Sequence, residues 1–126
     1  MKINSNYKYT KSHEWVEMLS DGKYKIGITD YAQHALGDLV YVNMPAKGDA
    51  VETGKTFADV ESVKAVAELY SPVSGTICAV NDAVGDAPGL LNAEPYNSWI
   101  ITVVDVTGTE ELLTPEEYEE YCKTLS

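Results

Sequence analysis

The chain has 126 residues, with nine basic side chains, all Lys, against twenty Asp plus Glu, and a formal net charge of -11. Such a surface repels a phosphate backbone, so nucleic-acid binding is excluded. The length suits one domain with a real core, taken as residues 1–126, and 44% apolar residues argues against disorder.

No apolar run approaches the ~20 residues of a membrane helix. The first ten residues have neither the apolar core of a signal peptide nor the Arg-rich character of a transit peptide. The expectation is a soluble, cytoplasmic chain, monomeric by default, with no membrane partner. Cys78 and Cys122 form neither a CxxC nor a metal spacing. Cys78 reads as a small buried residue and Cys122 as an incidental thiol. With only His13 and His34, no metal site is expected.

Short strands dominate. Trp15–Met18 and Lys23–Ile28 flank Leu19-Ser20-Asp21-Gly22, and an Asp-Gly between such runs predicts a hairpin. Residues 29–37 predict one short helix, capped by Thr29 or Asp30 and stopped by Gly37. Val40–Met44 is the next strand, ended by Pro45. From Gly48 to Val84 turn residues recur every few positions, between runs at 57–60, 65–69 and 76–80. That texture predicts a sandwich or flattened barrel. Gly48-Asp49-Ala50-Val51 is faintly echoed by Asn81-Asp82-Ala83-Val84, the pattern expected of two halves of a folded-over sheet. Gly85-Asp86-Ala87-Pro88-Gly89 reads as a turn, not a phosphate loop.

Trp99–Val104 gives a further strand. In the tail, Thr114 as N-cap, Pro115 at the first helical position and Glu117 make a capping box, with Leu113 and Tyr118 as a hydrophobic staple. The C-terminal helix is placed at about 115–123, its acids on a solvated face.

Chemistry concentrates near the midpoint. Two strand-like runs are separated by Glu61-Ser62-Val63-Lys64, which makes a hairpin of about 57–69 with a lysine at its tip. A tip residue projects free of the sheet, and the small Ala65 leaves the amine open to another protein's active site.

Glu61-Ser62-Val63-Lys64-Ala65, with Ser71-Pro72-Val73-Ser74-Gly75 downstream, resembles the lipoyl-attachment motif of the glycine cleavage system H proteins. Ser12-His13-Glu14-Trp15-Val16, Gly27–Gln33 and Leu36–Val40 match that family's first third. Val80-Asn81, Leu91-Asn92, Pro95-Tyr96 and Trp99 match its last third. Biotin carriers are typified instead by Met-Lys-Met, and the lipoyl domains of 2-oxoacid dehydrogenases lack the HisGluTrp segment and the C-terminal helix.

The resemblance implies a mainly β fold: a flattened barrel or sandwich of the lipoyl/biotinyl hammerhead type, with a short internal helix and a C-terminal helix. It implies lipoate in amide linkage on Lys64, with Glu61, Ser62, Val63 and Ala65 as the attachment motif. Acylation removes one ammonium, taking the formal charge from -11 to -12. In this family the P protein, a pyridoxal-phosphate decarboxylase, releases CO2 from glycine and leaves an aminomethyl group on a lipoyl sulfur. The T protein passes the one-carbon unit to tetrahydrofolate and releases ammonia, and the flavin-dependent L protein reoxidises the arm. The chain would then be a non-catalytic carrier meeting these three partners and lipoate-attaching enzymes.

The loaded arm of relatives folds back onto the domain, and Glu14 and Glu68 are the candidates for receiving its ammonium end. His13 lies in the matched motif with no role beyond orienting a loop. Some relatives carry a histidine immediately before the residue corresponding to Leu36; here that position is Ala35. A one-residue shift turns a helical side chain by about 100°. His34 is therefore placed on the helix surface. Two alternatives stand beside the glycine-cleavage carrier: a lipoyl relay that donates lipoate to other complexes, and an unmodified interaction domain. No nucleophile–base pair suggests a stand-alone enzyme.

Overall fold

A computed structural model describes residues 1–125. Nine strands and four helices follow one another: β1 (Lys8–Tyr9), β2 (Glu14–Met18), β3 (Tyr24–Ile28), α1 (Asp30–Leu36), β4 (Leu39–Asn43), β5 (Ala50–Val51), β6 (Thr56–Ser62), β7 (Val66–Tyr70), β8 (Val73–Val80), α2 (Asp82–Asp86), α3 (Leu90–Ala93), β9 (Ile101–Thr109) and α4 (Pro115–Lys123). They form two antiparallel sheets, of order β1-β2-β3-β9-β8-β5 and β4-β6-β7. The expected β class holds, as an open two-sheet arrangement rather than a closed barrel.

The main core fills the space between the sheets. Ile26 and Ile28 of β3, Val42 of β4, Val60 of β6, Leu69 of β7, Val73 and Ile77 of β8 and Ile101 and Val103 of β9 meet there. A second, aromatic cluster lies under α4, where Tyr9, Trp15, Tyr118 and Cys122 are buried. Tyr118 stacks on Tyr9 with ring centroids 4.6 Å apart. The capping box forms as the spacing dictates: Glu117 N–H donates to the Thr114 hydroxyl (3.1 Å), and Thr114 N–H to the Glu117 carboxylate (2.9 Å).

Several expectations need correction. Asn81–Asp86 is not a string of turns; Asn81 caps α2, which takes in Gly85 and Asp86. The two echoing segments differ in conformation, since Ala50-Val51 is a strand and Ala83-Val84 is helical. The strand predicted from Trp99 starts at Ile101 and runs to Thr109. The cysteines reverse roles: Cys78 is only half-buried, while Cys122 packs into the aromatic cluster on the face of α4 that carries Tyr118 four residues earlier. Among the described residues no helix is long and apolar enough to cross a membrane.

Gly27 is required by packing. It pairs with Trp15 across β2 and β3, and a Cβ there would stand 2.5 Å from the indole. Trp15 cannot swing away easily, because its Nε1–H donates to the Pro95 carbonyl (2.9 Å) and Tyr7 stacks on the ring (4.6 Å). Gly27→Ala is expected to lower unfolding stability by about 2 kcal/mol through overpacking, with a weakened near-UV tryptophan signal. Urea melts followed by fluorescence and near-UV circular dichroism check both.

Candidate functional site

Lys64 stands exposed on the three-residue tip that joins β6 to β7. Ser62 builds that tip. Its hydroxyl accepts the N–H groups of Lys64 (3.2 Å) and Ala65 (3.0 Å), and its own N–H donates to the Ala65 carbonyl (2.7 Å). Val63 N–H donates to the Asp38 carbonyl (3.0 Å), tying the tip to the start of β4. The backbone is thus fixed while the lysine side chain stays free, a serine-turn arrangement. Glu61 and Val63 are exposed beside it, Val63 to 69%.

The Lys64 stem leans towards α1. A Cβ on Gly37 would meet Lys64 Cε at 3.4 Å, and Gly37 has φ +81°, a conformation that ends α1 and suits glycine. Asn92 of α3 braces this point. Its side chain accepts Leu39 N–H (2.9 Å) and donates to the Gly37 carbonyl (2.9 Å) and to Gln33 (3.0 Å). The Leu91-Asn92 pair thus serves twice: Leu91 in the core, Asn92 as the clamp on the end of α1.

Beside Gly37 a cleft of about 180 Å³ opens between α1 and β7. Ala32, Ala35, Leu36, Leu69 and Ile28 give it apolar walls, and Ser12, His13 and Glu68 supply its polar groups. Of the two expected acids, Glu68 lines the cleft and is exposed, with Tyr70 O–H donating to its carboxylate (3.0 Å). Glu14 sits deeper, 1% exposed. Its carboxylate accepts the hydroxyls of Ser12 and Thr10 (2.7 Å for Thr10) and the N–H of Tyr70 (3.3 Å). Tyr70 therefore holds both acids, one through its backbone and one through its phenol. Burial pushes the Glu14 carboxyl up to about 7, against the lowering effect of its three hydrogen bonds.

The site also contains a residue to which the sequence assigned little. His13 adopts φ +73°, uncommon for a non-glycine residue. Its ring stacks on Tyr31 (4.4 Å between centroids), and its Nδ1 is hydrogen-bonded to the Tyr118 hydroxyl (2.7 Å). Burial lowers its pKa. Tyr118 lies 105 positions away in the chain, so no local pattern could reveal the contact. His34 is exposed on α1, as expected.

An exposed lysine on a hydrogen-bonded hairpin tip, its stem at the end of the helix that walls an apolar cleft, is the arrangement a carrier domain for a tethered arm requires. The family model "Glycine cleavage H-protein" matches residues 7–125. A glycine cleavage system H protein of Lachnoclostridium phytofermentans is 50% identical over 98% of this chain and 97% of its own length. A probable glycine cleavage system H protein of Pyrococcus furiosus is 48% identical over 98% and 95%. A crystal structure of an H protein from Mycobacterium marinum superposes with a TM-score of 0.88 at 38% identity, covering 98% of each chain. The chain belongs to the glycine cleavage H-protein family, and its role is that of a lipoyl carrier in glycine cleavage.

Glu14 makes stability depend on pH with a definite sign. Its folded-state pKa lies above the ordinary 4.5, so the folded chain holds the extra proton and loses stability as pH rises from about 4.5 to about 7. Glu14→Gln removes that dependence. The stability of the variant relative to the parent is expected to rise by up to about 3 kcal/mol across this window, measured by urea unfolding at pH 4.5, 6 and 8.

Proposed function

We propose that Lys64 is the lipoyl-attachment residue and that residues 1–126 act as one non-catalytic carrier serving the P, T and L proteins and the lipoate-attaching enzymes. The observation that carries this reading is the fixed tip with a free lysine stem lying over Gly37. Lipoate on that amine supplies a dithiolane able to accept and release the aminomethyl group of glycine.

The residues around Lys64 have separable roles. Ser62 shapes the tip, and Ala65 keeps the amine unobstructed. Glu61 and Val63 are the side chains an attaching enzyme meets on either side. Gly37 lets the long stem lie flat against the end of α1. The apolar walls of the cleft receive the methylenes of the arm and exclude water from its loaded end. Glu68, at the rim, takes the ammonium by a charge-assisted hydrogen bond. Glu14, behind Ser12, adds its field: a cation arriving in the cleft favours the ionised carboxylate and draws the Glu14 pKa down.

Intact mass of the chain from its native host, with fragmentation around Lys64, is expected to show a lipoyl increment on that residue, and none in Lys64→Arg. An unmodified Lys64 from lipoate-replete cells would overturn the assignment. In the loaded chain, Glu68→Gln is expected to shorten the lifetime of the aminomethyl arm on the order of tenfold, from the loss of one charge-assisted hydrogen bond. Glu14→Gln is expected to shorten it less. A Glu14→Gln chain that protects the arm as well as the parent removes Glu14 from the site.

A further inference from the structure

The polar wall of the cleft is in contact with a helix from far along the chain. The Tyr118 hydroxyl on α4 lies 2.7 Å from His13 Nδ1 and 2.7 Å from Thr29 Oγ1. Thr29 is fully buried and caps α1, its Oγ1 accepting Ala32 N–H (3.2 Å). Two elements that meet at the cleft, the His13 turn and the start of α1, therefore converge on one phenol.

The protons in this triad can be assigned by satisfying every donor. Among the described residues the Thr29 hydroxyl hydrogen has one hydrogen-bond acceptor in reach, the Tyr118 oxygen. If Thr29 donates to Tyr118, then Tyr118 donates to His13 Nδ1. That nitrogen must carry a lone pair, so the imidazole is neutral with its proton on Nε2. If His13 instead carries a proton on Nδ1, in the other tautomer or in the cation, it donates to Tyr118. Tyr118 then turns to Thr29, and a buried hydroxyl hydrogen is orphaned. Cys122 also faces the phenol as a hydrogen-bond partner, but its sulfur is a weak acceptor beside the imidazole nitrogen.

The backbone fixes where the ring stands. His13 is held at φ +73° by its N–H to the Thr10 carbonyl (3.1 Å) and by Thr29 N–H to its own carbonyl (3.1 Å). A residue kept in a sparsely populated conformation by such constraints is placed for its side chain.

We propose that Tyr118 is a positioning residue that locks His13 as a neutral, Nε2-protonated imidazole, so that the cleft presents no positive charge to a cationic arm. This rests on the arm-docking reading above and extends it to charge selectivity. An imidazolium in the cleft wall would repel the ammonium end that Glu68 attracts. The other groups around His13 do not replace the lock. Tyr31 on α1 and Tyr121 on α4 face its ring, Lys11 lies over Tyr121, Glu14 follows it in the chain, and Glu68 stands across the cleft on β7. Burial of His13 acts in the same direction as the lock.

The test has two readouts. Nitrogen-15 NMR of the imidazoles in the unlipoylated chain is expected to show His13 as the Nε2–H tautomer. In Tyr118→Phe, which keeps the ring stack on Tyr9, the Nδ1–H form appears and the titration midpoint moves up towards an ordinary histidine. His13 found as Nδ1–H in the parent chain overturns the lock whatever the arm does. In the loaded chain, the ratio of arm lifetimes, parent over Tyr118→Phe, is expected to be near one at pH 8 and to grow on the order of threefold to tenfold at pH 6. The double variant His13→Asn with Tyr118→Phe has no imidazole at this position and is expected to lose that pH dependence; asparagine tolerates the positive φ. A ratio equal at both pH values overturns the charge role. An arm no longer-lived on the parent chain than on free lipoamide overturns the cleft reading itself, and the NMR result still decides the tautomer.

Discussion

A carboxylate buried to 1% exposure must be hydrogen-bonded or neutral, and around Glu14 the chain is arranged to meet that demand. Thr10 and Ser12 donate from the turn before β2, and Tyr70 donates from the end of β7, so one side chain joins the six-stranded sheet to the three-stranded one. The consequences spread from there. The turn that brings Thr10 and Ser12 back to Glu14 places His13 at positive φ. The backbone bond to Tyr70 fixes the residue whose phenol orients Glu68. Trp15, next along, faces the other way into the aromatic cluster and leaves room at Gly27 for nothing larger than hydrogen.

The C-terminal helix is an unusual contributor to a site it does not border. Its nine residues would be marginal alone. The capping box and the Tyr9–Tyr118 stack hold it down, and its buried face consists of Tyr118 and Cys122. The helix thus delivers one phenol to a fixed point between His13 and Thr29. Deleting it would remove a lid from the aromatic cluster and also the group that satisfies the α1 cap.

Where local rules act alone, the sequence was legible. The Asp21-Gly22 hairpin, the Thr29-capped α1 stopped at Gly37 and the α4 boundaries all follow from turn and cap chemistry within a few residues. The tip lysine was visible as a position, and its chemistry only through the motif around it. What stayed hidden depends on partners far along the chain. Cys122 is buried because α4 folds onto Tyr9, and Cys78 is half-exposed because of where it falls on β8. α2 was lost because Asn81, Gly85 and Asp86 are turn formers by composition, and only burial of Val84 turns them into a helix. Of the two candidate acids, Glu68 lines the cleft directly, whereas Glu14 lies behind Ser12. A motif lists residues without saying which of them touches the ligand.

The small size of the cleft is consistent with a carrier that must let go. A cavity of about 180 Å³ has room for the loaded end of an arm and not for its whole length. Tethering compensates, because a short flexible linker presents its end at millimolar effective concentration. An intrinsic affinity of only about 0.1 mM would then keep the arm docked in about nine of ten molecules, and releasing it would cost about 1.4 kcal/mol. A partner enzyme binding the arm even modestly better can extract it, while a tighter cleft would slow every handover. Charge is therefore the economical place to set selectivity. Under the proposed lock, an uncharged His13 beside an acidic rim would distinguish a cationic arm from a neutral one by electrostatics, without contacts strong enough to trap either.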